Sequence, residues 1–287
     1  MEQSKKRKGL KDSRNNMEKN ILLTIEYDGS NFHGWQRQPE KRTVQGELER
    51  ALRIACGSEI KIDGTSRTDA GVHALGQCAS FRGELQIPTD KLAIVTNNIL
   101  GGGKNVAGIT SDVRIITAEE KPMDFHARFD AKSKKYIYKI SNSAEKDIFK
   151  RNYFYQISDK LNVDAMLEAA QHIVGTKDFK CFQAAGGEEK KTTVRTIHEL
   201  KVVKKNAQIS GAGSVADSGC ENSEIHIEVT GDGFLYNMVR IIAGTLVEVG
   251  LGKLNPRVIP IIIESGDRQN AGHTAVAQGL YLVEVYF

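Results

Sequence analysis

Short β-rich segments alternate with amphipathic helical segments along most of the chain, and this alternation limits the folds available to it. Apolar spacing predicts helices near residues 44–56, 88–100, 163–174, 235–249 and 256–264. Extended segments are predicted near 21–27, 59–63, 77–82, 105–117, 194–205, 224–231 and 280–287. The order β-α-β-β-α-β occurs twice, which favours two α/β units with mostly antiparallel sheets over a doubly wound parallel fold.

Several helices carry boundary signals in the sequence. Thr43 fits an N-cap, and Gly57 follows the last residue of the same apolar stripe. The helix predicted at 163–174 closes at Gly175 in the same way. The segment 235–249 is apolar on most sides, so we expect a largely buried helix with Arg240 off its apolar stripe.

A length of 287 residues suits about two domains. We expect a basic flexible tail at 1–19, an N-terminal α/β domain at 20–118, and a C-terminal α/β domain at 119–287 with an insertion at 207–223. The tail has seven basic and three acidic residues, a surplus equal to the net charge of +4, so the body is formally neutral. Nucleic-acid binding by the folded part would therefore depend on local patterning and not on bulk charge.

Several functional classes lack their sequence signals. No apolar run approaches the roughly 20 residues that span a bilayer, and the basic start lacks the apolar core of a secretory signal. The four cysteines show no C-x-x-C spacing, which favours a reducing cytoplasm. The stretch Gly101–Lys104 lacks phosphate-loop spacing, and neither G-x-G-x-x-G after a strand nor H-x-x-x-H occurs. We therefore expect a cytoplasmic protein without a cofactor or metal.

A glycine-rich loop at 64–77 places a guanidinium, a carboxylate and an imidazole close together, on Arg67, Asp69 and His73. Glycines allow unusual backbone angles and close approach to a ligand, and charged side chains on such backbone are typical of functional sites. The alternative is an ordinary turn, in which Asp69 bonds to nearby backbone and Arg67 is its solvated neighbour.

A second segment combines basic and aromatic residues. Between 128 and 139 there are five basic residues against one acid, and Tyr136 and Tyr138 share a strand face with Lys134. Such interleaving suits a phosphate backbone with a stacked base. An ordinary two-sided strand with a solvated lysine face explains the pattern equally well.

The octapeptide Arg67–Ala74 resembles the catalytic motif of the tRNA pseudouridine synthase A (TruA) family. Further similar stretches follow in the family's order from about residue 21 to the C-terminus: Tyr27–Gln38, Thr43–Gln45, Phe125–Phe129, Lys135–Tyr138, Gly175–Phe179, Arg195–Ile197, Gly233–Arg240 and Gln278–Leu280. Several motifs in order are far more specific than any one alone. The resemblance implies two ferredoxin-like or RRM-like units joined into one pseudo-symmetric catalytic chain.

The resemblance also implies a reaction, which is isomerisation of uridine to pseudouridine at positions 38, 39 and 40 of tRNA by a homodimer. By motif position, Asp69 would be the nucleophile, acting at C1′ or C6 or assisting a glycal route, and Arg240 would be its ion-pair partner. Arg67 would fill the space left by the flipped base. Tyr136 would stack on the target uracil or assist removal of its C5 proton.

Two segments depart from the family pattern. Ser66 stands before Arg67 where the family typically has Gly, so the loop is expected to sit differently while tolerating a small side chain. The stretch Lys180–Gln183 is less rich in hydroxyl and Arg side chains than the family's version, which weakens the expectation of RNA contacts there.

Three other functions fit parts of the sequence. An RNA-binding module without catalysis would use the basic-aromatic strand but leaves the Arg67-Thr-Asp69 sequence unexplained. A metal-dependent nuclease would use Asp28, Asp63 and Asp69, although these carboxylates lack paired spacing. A paralogue acting on other uridines, in another tRNA or in ribosomal RNA, is left open by the sequence.

Overall fold

The computed structural model describes residues 18–102, 111–186, 191–206 and 223–287, so nearly all of the predicted tail and insertion lies outside the described residues. The strands in the described part are β1 (Lys19–Tyr27), β2 (Asp63–Gly64), β3 (His73–Gly83), β4 (Val113–Lys121), β5 (Ser133–Asn142), β6 (Tyr155–Ile157), β7 (Gly175–Asp178), β8 (Val194–Asn206), β9 (Ser223–Gly231) and β10 (Leu280–Tyr286). The α-helices in the described part are α1 (Val44–Cys56), α2 (Thr89–Leu100), α3 (Val163–Gln171), α4 (Met238–Gly250) and α5 (Ile259–Ser265).

These strands form one sheet in the order β4-β1-β3-β10-β5-β9-β8-β7, with β2 beside β3 and β6 beside β5. Pairing is antiparallel except between β10 and β3 and between β5 and β6. Because β10 lies between β3 and β5, the last strand joins the two halves of the chain into one sheet. The predicted α/β fold with mostly antiparallel pairing is confirmed. The boundary drawn at 118/119 falls inside β4, and the division into domains stays a prediction.

Helix α1 begins and ends where its sequence signals lie. Thr43 Oγ1 accepts a hydrogen bond from Gly46 N at 3.3 Å, which satisfies one of the otherwise unpaired amides of the first turn. Gly57 closes the helix in the left-handed conformation, with φ of 70°. The helix therefore follows from local chemistry that can be read in the sequence.

Helices α3 and α4 differ from their predicted ranges at one end each. Helix α3 ends at Gln171, and Lys177 Nζ donates to the carbonyls of His172 and Val174 at 2.6 and 2.5 Å. That side chain satisfies carbonyls that lie beyond the end of the helix. Helix α4 begins at Met238, three residues later than predicted, because Asn237 adopts φ of 59°, which a right-handed helix excludes.

Three strands also differ from expectation. The strand predicted at 59–63 is reduced to the two-residue β2. Strand β3 begins at His73 and not near 77, because His73 pairs in parallel with Tyr281 of β10, a partner that local sequence does not reveal. The strand predicted at 105–117 is observed as β4, Val113–Lys121, and residues 103–110 lie outside the described part.

Helix α4 is held by burial on nearly all sides, as its sequence predicts. Eleven of its thirteen residues are buried, and Arg240 and Glu248 are the two exceptions. Burying a large aliphatic side chain contributes about 1.5–3 kcal/mol, so the helix has little freedom to rotate or slide. The direction in which Arg240 leaves the helix is fixed accordingly.

The described residues include no helix long and apolar enough to cross a membrane. Cys56, Cys78 and Cys181 are buried free thiols, and Cys220 lies outside the described residues. Burial raises the pKa of Cys78 and of Cys181 to about 11, so both stay protonated near neutral pH.

Candidate active site

The loop between β2 and β3 is held by hydrogen bonds on both sides of Ser66. Gln77 Nε2 donates to Ser66 O at 2.6 Å, and Gln77 Oε1 accepts from Ser66 N at 3.3 Å. Thr65 donates to Cys78 O from its backbone N at 2.8 Å and from its Oγ1 at 2.9 Å. These bonds fix the backbone just ahead of Asp69, so the loop presents its charged side chains from a rigid base.

The single Trp of the chain packs beneath this loop. Trp35 is 2% exposed, and its backbone N–H donates to Thr68 O at 3.0 Å. A Cβ on Gly64 would lie 2.4 Å from the indole ring, so this position accepts only glycine. Tyr27 on β1 adds a hydrogen bond of 2.7 Å between its hydroxyl and Thr68 Oγ1. The segment that opens the folded chain thus supports the loop from below.

His73, the imidazole of the motif, has a structural position. Its Nδ1 accepts from Gly29 N at 3.1 Å, so Nε2 carries the proton and donates to Asn152 O at 2.9 Å. Its ring stacks on Tyr281 with centroids 4.6 Å apart. Burial lowers the pKa of His73, opposed by the charge of Asp28. Both ring nitrogens are engaged within the fold, which favours support of the loop over proton transfer.

Asp69 on the loop meets Arg240 from the first turn of α4. Arg240 Nη1 donates to Asp69 Oδ2 at 3.2 Å, and the two side chains are 17% and 27% exposed for Arg and Asp respectively. The same guanidinium donates to Ala275 O at 2.8 Å and to Asn237 Oδ1 at 2.9 Å. Three acceptors therefore orient the arginine before any substrate enters.

A close approach between α4 and the following loop provides the Ala275 contact. A Cβ on Gly244 would lie 1.9 Å from His273 O, so glycine is required for the loop to lie against the helix. Ala275 N donates to Arg240 O at 3.1 Å, which ties the loop to the same residue that it orients.

The protonation state of Asp69 depends on two opposed effects. Burial raises the pKa of Asp69 above its ordinary value, while the charge and the hydrogen bond of Arg240 lower it. The net direction is upward, because desolvation is the larger effect. The carboxylate is thus anionic above its raised pKa, and Arg240 limits the rise.

Tyr136 on β5 closes the other side of the site. The side chain is 8% exposed, and its ring packs edge-on against Phe234 with centroids 5.1 Å apart. Burial raises the pKa of Tyr136 to about 12, and the negative charge of Asp69 adds to the rise. The phenol is therefore protonated at neutral pH and offers an aromatic face and a hydroxyl, not a phenolate.

These residues line a cleft of about 340 Å³. It is bounded by the loop Gly64–Asp69, by β5, and by the segment Gly233–Arg240. Its lining includes one acid, Asp69, and five basic residues: Arg67, Arg128, Lys134, Arg195 and Arg240. The cleft is strongly cationic although the body of the chain is formally neutral, as an RNA-binding site on this chain requires.

The structure brings together all four residues that the sequence singled out. Asp69, Tyr136 and Arg240 converge inside the cleft, and Arg67 lines it with an exposed side chain. Arg195 from β8 also lines the cleft; it lies in a stretch that resembles the family, but it was not predicted as a site residue. The parts assigned to the four residues in catalysis stay predictions.

The carboxylates considered for a nuclease have other surroundings. Asp28 accepts hydrogen bonds from Ser30 N at 2.9 Å and from Tyr153 OH at 2.7 Å. The Asp63 side chain is 71% exposed and lies 3.6 Å from His126 Nε2. Across the ranges that the structure describes, no three His, Cys, Asp or Glu side chains form a group that could hold a metal ion.

The two departures from the family pattern have different settings. Ser66 is 7% exposed, with its backbone held by Gln77, so the small side chain fits in the loop. Cys181 and Phe182 are fully buried, and the ring of Phe182 stacks 6.2 Å from that of Phe179. The second segment thus contributes to the core.

Comparison with known proteins identifies the family to which this chain belongs. A family model described as tRNA pseudouridine synthase matches residues 23–130 and 169–287. The tRNA pseudouridine synthase A of Ruminiclostridium cellulolyticum is 46% identical over 267 residues, which cover 93% of this chain and 99% of that protein. Proteins of the same name from Caldicellulosiruptor bescii and Acetivibrio thermocellus are 45% and 44% identical, and each match covers 94% of this chain and all of the relative. The chain belongs to the tRNA pseudouridine synthase family of isomerases.

Proposed function

We propose that the cleft isomerises uridine to pseudouridine at positions 38, 39 and 40 in the anticodon stem-loop of tRNA. The observation that carries this proposal is the Asp69–Arg240 ion pair at 3.2 Å, inside a cleft whose other charged lining residues are all basic. The basic side chains suit the phosphates of an RNA, and the single carboxylate is left for chemistry on the base or sugar.

In the reaction the N1–C1′ glycosidic bond breaks, the uracil rotates, and C5 bonds to C1′. N1 gains a proton and C5 loses one, so the product is an isomer of the substrate and no redox partner or energy source is consumed. Asp69 supplies the anion next to the reacting nucleoside, by attack at C1′ or C6 or by assisting a glycal route. Arg240 keeps that carboxylate ionised in a partly desolvated site by opposing the rise in its pKa.

Tyr136 and Arg67 act on the position of the base. A uridine in a stem is unreachable until it leaves the stack, which costs a few kcal/mol. Arg67 lies two residues before Asp69 with an exposed side chain, so it can occupy the vacated space while Asp69 reaches the everted nucleoside. Tyr136 stacks on the uracil. A buried phenol with a pKa of about 12 stays protonated, so it suits stacking better than it suits the role of a general base.

The partner of the cleft is tRNA, and the working form is a homodimer whose two chains build the RNA-binding surface. A tRNA substrate places the activity in the cytoplasm. The reaction needs neither a metal nor an organic cofactor, since the carboxylate, the arginine and the tyrosine provide the groups that the isomerisation uses.

The test compares the wild type with Asp69→Asn, which keeps the shape of the side chain and removes its charge. With tRNA tritiated at C5 of uridine, the wild type should release tritium and the variant should stay at background. Affinity for tRNA should change little, because the five basic residues of the cleft, which suit the RNA phosphates, are all retained.

Thermal unfolding checks that the variant is folded. A carboxyl group whose pKa is raised by folding contributes most to stability below its unfolded-state pKa, and this contribution is lost as the pH rises through the folded value. Ionised Asp69 is thus a cost near neutral pH, and Asp69→Asn should not lower the melting temperature. Tritium release by the variant would refute the role of Asp69 as the nucleophile. Background release by the wild type would indicate RNA binding without catalysis. Pseudouridine mapped at other positions would indicate a different target.

A further inference from the structure

A turn beside the cleft displays an aromatic ring that the reaction described above does not use. Phe129 is 75% exposed, and the ring of His126 lies 4.4 Å from it between centroids. The guanidinium carbon of Arg128 lies 5.9 Å from the centroid of the Phe129 ring, and Arg128 lines the cleft. The ring therefore lies next to a side chain that lines the cleft.

The turn is rigid and leaves Phe129 on its outer side. Phe129 N and Asp130 N both donate to His126 O, at 3.1 and 3.0 Å. Asp130 Oδ2 accepts from His126 N at 2.7 Å, and Arg128 N donates to His126 Nδ1 at 3.1 Å. A ring displayed by so many fixed backbone contacts is already oriented for a partner, so binding would cost little ordering of the turn.

The same turn is attached to the loop that carries Asp69. Ala127 is fully buried, and its N–H donates to Ser80 Oγ at 3.0 Å. Thr65 Oγ1 lies within hydrogen-bond distance of Ala127 O, at 3.2 Å. Because Thr65 belongs to the catalytic loop, the distance between the Phe129 ring and the reacting centre is set by the fold and not by a flexible linker.

We propose that Phe129 is a stacking platform for an unpaired base of the RNA next to the flipped uridine, with Arg128 contacting the adjoining phosphate. This inference rests on the proposed function, since it deepens the way in which the same cleft holds its RNA. An exposed aromatic ring stacks on any base through its π-face, and a neighbouring guanidinium adds attraction for the backbone. The charge of the cleft selects a polyanion as the occupant, with five basic residues and one acid among its lining residues.

The experiment measures binding of wild-type and variant proteins to an unmodified anticodon stem-loop RNA. Phe129→Ala should weaken binding about 5- to 150-fold, equivalent to about 1–3 kcal/mol for one stacked base. Phe129→Trp should restore binding, and Phe129→Leu, which keeps apolar bulk without a π-face, should not. The matched control is Phe149→Ala, which removes an aromatic ring that is 86% exposed in a different turn. The control should bind like the wild type.

Two further readouts distinguish base stacking by Phe129 from attraction of the RNA by charge. A 2-aminopurine placed beside the target uridine should be quenched on binding to the wild type and not on binding to Phe129→Ala. The slope of log affinity against log salt concentration should be unchanged in Phe129→Ala, because no charge is lost. In Arg128→Gln this slope should become shallower by about the amount expected for the loss of one phosphate contact.

The inference would be overturned by equal RNA affinity in Phe129→Ala and Phe149→Ala while the wild type still forms pseudouridine. It would also be overturned by a Phe129→Ala protein that changes oligomeric state in size-exclusion chromatography but keeps wild-type RNA binding, since the ring would then belong to a protein interface. Absence of pseudouridine formation by the wild type would instead count against the proposed function.

Discussion

Replacing Arg240 with Gln removes the cation beside Asp69 and leaves a polar side chain in its place. In the proposed reaction Asp69 acts as an anion, so activity is expected above its pKa and should fall as the pH drops through that value. Burial already raises the pKa of Asp69, and Arg240 opposes the rise. Without the guanidinium the pKa rises further, so the acidic limb of the pH–rate profile should move to higher pH.

The size of the effect follows from the geometry of the pair. At 3.2 Å and with both side chains largely shielded from solvent, the gross attraction is about 5 kcal/mol at an effective dielectric constant of ~20. Desolvation offsets most of this, and a hydrogen bond between charged groups contributes a net of about 1.5–3 kcal/mol. Arg240→Gln should therefore lower kcat/KM by about 10- to 150-fold on the acidic side of the profile. The loss should shrink as the pH rises and Asp69 ionises without help.

The assay is single-turnover tritium release from C5-labelled tRNA, measured from mildly acidic to alkaline pH. Arg240→Lys keeps a positive charge and should recover part of the acidic activity. Arg257→Gln is the matched surface control, because Arg257 pairs with Glu168 at 3.3 Å but its side chain is 84% exposed. Its pH profile should match that of the wild type. A loss in Arg240→Gln that is the same at every pH would refute the electrostatic reasoning and assign the arginine to RNA positioning.

Two other substitutions test the parts of the site that surround the ion pair. Tyr136→Phe keeps the ring and loses one neutral hydrogen-bonding group, so the single-turnover rate should fall only about 2- to 10-fold. Tyr136→Ala also loses the ring, and its rate should fall far more. Equal losses of rate in the two variants would mean that the hydroxyl and not the ring carries the function. Gly34→Ala should destabilise the fold by about 1–3 kcal/mol in chemical denaturation, because Gly34 has φ of 85° and a Cβ would lie 2.7 Å from Thr68 O. Gly252→Ala, at φ of 71° with no atom within 4 Å of the new Cβ, is the control and should cost less; an equal cost at both positions would show that contact with the Asp69 loop is unimportant.

Local chemistry made parts of this structure predictable. The limits of α1 follow from Thr43 and Gly57, and the buried character of α4 follows from its apolar residues, since both depend on contacts within a few residues. The end of α3 at Gln171 was predicted too late, because the apolar spacing continues through Ile173 and Val174 although the helix does not. The start of β3 at His73 depends on a strand from the far end of the chain.

In the candidate site, too, some features follow from the sequence and others depend on contacts between distant segments. The resemblance of the motifs to a family singled out Asp69, Arg67, Tyr136 and Arg240, whereas the glycine-rich loop and the basic-aromatic strand, taken alone, were also compatible with an ordinary turn and an ordinary strand. The sequence alone could not show that Asp69 and Arg240, 171 residues apart, lie 3.2 Å from each other. That distance results from β10 closing the sheet and from the contact of Gly244 with the loop at His273, which orients the arginine. Charge and side-chain chemistry are properties of residues, whereas desolvation and ion pairing arise only when distant segments pack together, and for this reason the raised pKa of Asp69 belongs to the tertiary structure.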